Sequence, residues 1–279
     1  VVLAVAALVT AVFTAGPAQA AGGGNNDPSC RPSVAHPHPV VFLHGLGATY
    51  YEDLNFLQAA VAAKGYCTFS QTYGAYPAFP VVGGLRPIAD SAAEIKQFIG
   101  QVLAGTGASK VDIVGHSEGG FQSLYVTKTQ GIADRVGTVV AIAPPTHGTT
   151  VAGLTQLAYL LGQGERDTIG AALSTLGCPA CDDLVTGGAA VKTLDSGPIA
   201  QPGVRYTVIT SRSDELVTPT GTAFVGEPGV VDAYVQDTCP FDPVGHVGEA
   251  YDLNVWNLVT NALDPAHATQ FACTAGSPG

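Results

Sequence analysis

The chain has 279 residues, of which 46% are hydrophobic and 12% charged, and its formal net charge is −11. That length and apolar content fit one large α/β domain with a sizeable core. Eleven basic residues against 22 acidic ones argue against nucleic-acid binding and against tight docking to anionic head groups, but leave contact with a neutral oil surface open.

Residues 1–20 stand apart from the rest. An almost wholly apolar run from Val1 to Phe13 precedes Ala18-Gln19-Ala20, a small-residue cleavage signal. The run is too short to span a bilayer, so it reads as a secretory signal peptide rather than a membrane anchor. Its initiator Met and basic start are missing, so the chain is expected to be truncated there. Residues 25–39 and 269–279 read as loosely ordered ends.

Apolar runs predict buried strands at 40–43, 66–71, 111–114, 139–143, 204–210 and 231–235. Helical spacing predicts helices at 86–103, 122–129 and 249–262; the first places Ile88, Ala92, Ile95, Ile99 and Val102 on one face. Strand and helix alternate, and the strands are apolar on both faces. That pattern predicts a mostly parallel sheet with helices on both sides. Residues 151–200 interrupt the rhythm with Leu154, Leu157, Tyr159, Leu160 and Leu161 and a second helical stretch around 169–176. They read either as a helical cap or lid beside a site, or as ordinary crossover helices over the core.

Six cysteines suit an exported protein, and an even count implies disulfides. The preferred pairing is Cys30–Cys67, Cys178–Cys181 and Cys239–Cys273. Cys30 precedes the first core strand and Cys67 lies in the next one. Cys178-Pro-Ala-Cys181 is a local pair, without the second ligand pair of a zinc site or the preceding strand of a redox motif. The third bridge would tie the C-terminal tail to the loop carrying His246.

The chemistry centres on Val111-Asp112-Ile113-Val114-Gly115-His116-Ser117-Glu118-Gly119-Gly120. A buried strand running into Gly-x-Ser-x-Gly and then a helix is the sequence form of a nucleophile elbow, with Ser117 at its tip. Larger side chains at 115 and 119 would crowd the turn, and Gly120 lets the helix approach its neighbours. A serine needs a base, and the chain order expected is Ser, acid, His. Asp214 follows the strand at 204–210 and is preferred over its neighbour Glu215. His246 is the histidine that follows this acid and precedes a C-terminal helix. His36, His38, His44, His147 and His267 lie elsewhere in the order, and His116 is expected to pack beneath the elbow. Two backbone N–H groups should form an oxyanion hole, those of Leu46 in His44-Gly45-Leu46-Gly47 and of Glu118. The Glu118 side chain is expected to point away, as a carboxylate favoured at a helix N-terminus.

His-Gly-Leu-Gly, Val-Asp-Ile-Val-Gly-His-Ser-Glu-Gly-Gly, Ser-Asp-Glu-Leu-Val and Val-Gly-His-Val-Gly together resemble the secreted bacterial lipases of the α/β-hydrolase superfamily. The likeness is to the class 2 lipase/esterase group, which includes small Bacillus and exported actinobacterial lipases. It covers about 39–143 and 204–263. It implies an α/β-hydrolase fold in a single catalytic domain at 21–279, with nucleophile Ser117, acid Asp214, base His246 and oxyanion amides of Leu46 and Glu118. Relatives that bind calcium do so through an Asp two places after the catalytic His. Gly248 stands there, so no such metal ion and no cofactor is expected; Asp237 and Asp242 could hold an ion by another route, but read more strongly as solvated loop carboxylates. The resemblance implies a secreted triacylglycerol lipase acting as a monomer on a lipid or other ester at an oil–water interface, without nucleic acid or stable membrane insertion. A short-chain esterase, a polyester hydrolase and an exported acyltransferase are the enzymatic alternatives. A non-catalytic binding module usually loses a triad member, and none is missing here.

Overall fold

Val40, Val41, Phe42 and Leu43 form strand β2 (Val40–Leu43) and are all buried, but they face two different cores. Val41 and Leu43 join the larger core, and Val40 and Phe42 the smaller one. The same alternation holds in β5 (Val136–Ile142), where Val139 and Ala141 face one side and Val140 and Ile142 the other. A side-chain period of two with apolar residues at every position forces a sheet covered on both faces. Each such Val, Leu or Ile contributes about 1.5–3 kcal/mol by leaving water.

The computed structural model describes residues 24–150 and 177–278. The other strands are β1 (Gly24–Asn25), β3 (Cys67–Ser70), β4 (Val111–His116), β6 (Arg205–Thr210) and β7 (Val230–Tyr234). They stand in the order β1-β3-β2-β4-β5-β6-β7, every neighbouring pair parallel. Helices α2 (Ile88–Thr106) and α3 (Glu118–Thr129) contribute to the larger core. α1 (Asn55–Ala63) and α8 (Leu253–Leu263) contribute to the smaller one. This is the α/β-hydrolase arrangement that the sequence implied. Because the strands are parallel, the loops after β2, β4 and β6 all leave at one edge of the sheet, where sites on such folds form.

The boundaries shift for local reasons. α2 begins after Pro87 and ends at Gly107, which adopts φ 73°. After the short α6 (Val235–Thr238), the predicted last helix is two pieces, α7 (His246–Glu249) and α8, divided at Asp252, whose side chain accepts the Val255 N–H and caps α8. α1 and the short β1 were not foreseen. The predicted signal peptide at 1–20 and the stretch 151–176 of the candidate cap lie outside the described residues. From 177 to 200 the chain forms α4 (Pro179–Leu184) and α5 (Ala189–Asp195). Ala180, Leu184, Ala190, Val191 and Leu194 are buried in the larger core.

Both ends are better fastened than the sequence suggested. β1 pairs with β3, and Cys30 is bridged to Cys67. At the other end Cys273 is bridged to Cys239, the Gly245 N–H donates to the Ser277 carbonyl at 2.9 Å, and the Gly276 N–H donates to Asp242 at 2.9 Å. Cys178 and Cys181 form the third bridge, so all three expected pairings are present. Bridges stabilise chiefly by restricting the unfolded chain. Replacing both Cys30 and Cys67 with Ala, which opens a separation of 37 residues, is expected to cost about 3–4 kcal/mol in urea unfolding. The same change at Cys178 and Cys181, 3 residues apart, is expected to cost less than about 2 kcal/mol.

Candidate active site

Ser117 sits between the last residue of β4 and the first of α3, at φ 54° and ψ −120°. Only a tight fit sustains such a backbone at a residue with a Cβ. Its N–H donates to the Ile142 carbonyl of β5 at 2.8 Å, which ties the turn to the neighbouring strand. A Cβ on Gly115 would overlap the Gly119 carbonyl, and one on Gly119 would overlap the Leu43 carbonyl at the end of β2. Both contacts are with backbone, so neither glycine has a substitute. Gly120 is less constrained, since its nearest atoms would be 3.1 Å away.

His246 brings its ring to Ser117 from the start of α7. Its Nδ1 lies 2.8 Å from Asp214 Oδ2 and its Nε2 lies 2.8 Å from Ser117 Oγ. A carboxylate only accepts, so Nδ1 carries the proton and Nε2 is left to accept the serine hydroxyl's. Asp214 is fixed from behind: its Oδ1 accepts the N–H groups of Leu216 and Val217 at 2.8 and 2.9 Å. Both His246 and Asp214 are buried. Glu215, the alternative acid, does not face the ring. It accepts the His246 backbone N–H at 3.2 Å.

The loop after β2 begins beside the elbow, because Leu43 is in register with Gly115. Its N–H groups at Gly45, Gly47 and Ala48 go to Asp53, Gly83 and Gly45, and among the described residues no acceptor takes those of Leu46 or Glu118. The other histidines are engaged elsewhere. His36 stacks on Tyr66, His38 meets Asp112, His147 meets Asp195 and His267 meets Asp264.

The sequence pattern of the family described as Lipase (class 2) matches residues 37–247. The chain belongs to the class 2 lipases. Among curated relatives, a triacylglycerol lipase of Pseudarthrobacter phenanthrenivorans is 30% identical over 122 residues, 43% of this chain and 36% of that protein. A triacylglycerol lipase of Pseudomonas fragi is 26% identical over 145 residues, 51% of this chain and 46% of that one. The matches thus span less than half the length of these relatives. The crystal structure of Aspergillus fumigatus lipase B superposes with a TM-score of 0.63 at 20% identity, covering 89% of this chain and 56% of that one. Mature Bacillus licheniformis lipase BlEst2 gives 0.57 at 18% identity, covering 88% and 97%. The family match supports a serine-hydrolase-type enzyme, and the two solved structures show the shared fold.

One expectation for this class 2 lipase fails. The Glu118 side chain is not a carboxylate favoured by the helix terminus. It is fully buried, and a Cβ on Gly84 would collide with it. Neither carboxyl oxygen has a partner among the described residues. Burial pushes it well above the ordinary carboxylate range, against a weaker contrary pull from Gln122, and so favours its neutral form. A helix end stabilises a charge by at most about 2 kcal/mol, less than the desolvation of an unpaired carboxylate costs. Asp237 is a half-exposed loop carboxylate that meets Arg212, whereas Asp242 is buried and accepts from Asn254, Val244 and Gly276.

Two further acids went unnoticed in the sequence. Asp53 lies in an unpatterned loop. Glu249 is one helical turn beyond His246, a spacing that could have drawn attention to it. Glu249 is fully buried and accepts the Ser211 N–H at 3.0 Å. Burial, then the nearby Asp214, raise it well above the ordinary range. Raised carboxyl values stabilise the fold fully below the unfolded value of 4.5, and that contribution is lost as pH rises through the folded values. The double variant Glu118→Gln/Glu249→Gln is therefore expected to lose less stability than the wild type between about pH 5 and pH 9, read from urea midpoints at each pH.

Proposed function

We propose that this chain is a secreted carboxylic ester hydrolase acting on triacylglycerols, with its catalytic domain at 21–279 following a cleaved leader. The observation that carries the reading is the bonded chain from Ser117 Oγ through His246 to Asp214, presented on a strained strand–helix turn. His246 Nε2 takes the hydroxyl proton as Ser117 Oγ attacks the ester carbonyl. The N–H groups of Leu46 and Glu118 receive the oxyanion. Asp214 holds the imidazole in its Nδ1–H form and stabilises the imidazolium that forms. His246 then gives its proton to the departing alcohol, leaving an acyl-serine. Water attacks the acyl group with His246 again as base, the acyl–Oγ bond breaks, His246 returns the proton to Ser117 Oγ, and free acid leaves.

A long-chain substrate is supported by the surface beside these loops. Tyr50 and Tyr51 follow the Leu46 loop, and Phe56 meets Tyr251 at 6.3 Å between ring centroids. With Leu253 they are exposed, and the Tyr251 hydroxyl donates to the Glu52 carbonyl, joining the two loops. Such a rim suits an uncharged lipid surface. Secretion is supported by three disulfides, which persist in oxidising compartments.

The test is the initial rate against tributyrin and triolein, carried through the solubility limit of tributyrin. Rates that rise once an emulsion forms, with triolein cleaved, are the expected result. Saturation below that limit without triolein cleavage would make the protein a short-chain esterase. Ser117→Ala is expected to lower kcat roughly 10⁵–10⁶-fold, and Asp214→Asn roughly 10⁴-fold. Hydrolysis near the wild-type rate in Ser117→Ala would overturn the assignment.

A further inference from the structure

His116, immediately before Ser117, is buried and has an acceptor at each ring nitrogen. Its Nδ1 lies 3.1 Å from Asp53 Oδ2, and its Nε2 lies 3.0 Å from the His246 carbonyl oxygen. A carbonyl can only accept, so Nε2 must donate. Asp53 Oδ2 accepts the Gly45 N–H at 2.6 Å, and with the carboxyl held low by its donors it is an ionised acceptor, so Nδ1 donates. Only an imidazolium satisfies both. His44, in the loop after β2 and stacked on Tyr73, makes the contrast. Its Nδ1 donates to the Gly45 carbonyl and its Nε2 accepts the Tyr73 N–H, which is the pattern of a neutral ring.

We infer that Asp53 and His116 form a buried carboxylate–imidazolium pair that positions both halves of the hydrolytic site, a role that rests on the ester-hydrolase reading above. One end of the pair holds the oxyanion loop through the Gly45 N–H. The other holds the base from behind, through the carbonyl of His246, and the two rings lie 5.0 Å apart between centroids. Three loops that are distant in sequence thereby share one ion pair: the loop after β2, the elbow, and the start of α7. His116 and Asp53 touch no substrate, so both are positioning residues.

The charges around the pair are consistent with this. Burial works against the His116 cation, but Asp53 outweighs it, and the ring titrates above its ordinary range. Burial also opposes charge on Asp53, and His116 with the Gly45 N–H outweigh it and hold the carboxyl low. The other titratable groups facing the pair are Asp214 and His246 beyond His116, and His44 beside Asp53. The pair is complete above the titration of Asp53 and is lost as pH rises through the folded value of His116. Above that point His116 can serve only one of its two acceptors.

The experiment combines nitrogen NMR of the full chain labelled at histidine with kinetics on p-nitrophenyl butyrate. In the wild type, one histidine ring is expected to keep both protons to a higher pH than an ordinary ring does. Asp53→Asn is expected to abolish that doubly protonated ring. Asp53→Asn and His116→Asn are each expected to lower kcat roughly tenfold to a hundredfold, the size expected when catalytic groups drift by about an ångström. KM should move much less. Wild-type kcat should decline as this ring loses its second proton, and His116→Asn should lack that decline.

The inference is overturned if every ring loses its second proton at or below the ordinary value, or if both variants keep the wild-type kcat. A change confined to KM would overturn it as well. Should the variants not fold, the wild-type spectrum still decides whether the pair is charged. A wild type that neither hydrolyses the ester nor takes a fluorophosphonate at Ser117 would overturn the positioning role together with the ester-hydrolase reading. The protonation of the ring would then be read separately.

Discussion

The site depends on one close approach, that of helix α3 to the ends of strands β2 and β4. Gly119 lies against the Leu43 carbonyl and Gly115 against that of Gly119. With no side chain at either position, the helix can begin one residue after the strand ends. Ser117 is left at positive φ between them. That conformation costs of order 1–3 kcal/mol and persists only where surrounding structure over-determines it. Here β4 is flanked on both sides, by β2 and β5, and the Ser117 N–H is taken by the Ile142 carbonyl of β5. The elbow is therefore a property of the sheet centre rather than of the pentapeptide alone.

Around this turn the number of N–H donors reaching each buried acid differs. Asp214 receives the backbone N–H groups of Leu216 and Val217 and the ring N–H of His246. Asp53 receives Gly45 and His116. Glu249 receives only Ser211, and Glu118 has no partner at its carboxyl oxygens among the described residues. The last two are pushed towards neutrality. Donors reward the charged form, and burial without them rewards the neutral one. The charge beside the proposed base is thus confined to acids that already have fixed donors.

Much of this was legible in the sequence because it rests on local patterns. Strands apolar at every position announced a covered parallel sheet. Gly-x-Ser-x-Gly behind such a strand announced the elbow, and chain order singled out Asp214 and His246. What was not legible depends on distant contacts. Asp53 is one acid in a loop without periodicity, and its partners at 45 and 116 are brought to it only by the pairing of β2 with β4. Glu118 was misread because its setting is built by Gly84, which no local rule connects to it. The tail was misread as loose because Gly, Ser and Pro there signal irregular backbone, and irregular backbone can still be well anchored.

That anchoring bears on the proposed base itself. His246 opens a four-residue helix, too short to hold its own orientation. Its position is set instead by four outside restraints. Glu215 accepts its N–H, and the His116 ring donates to its carbonyl. The preceding Gly245 N–H is taken by Ser277, and the segment leading to it is bridged through Cys239 to Cys273. The first two restraints come from the catalytic edge of the sheet, and the last two from the chain's end. A histidine held from both sides can keep its ring between Ser117 and Asp214 without a long helix beneath it. The covalent bridge matters most here because it limits how far the tail can leave when its hydrogen bonds open.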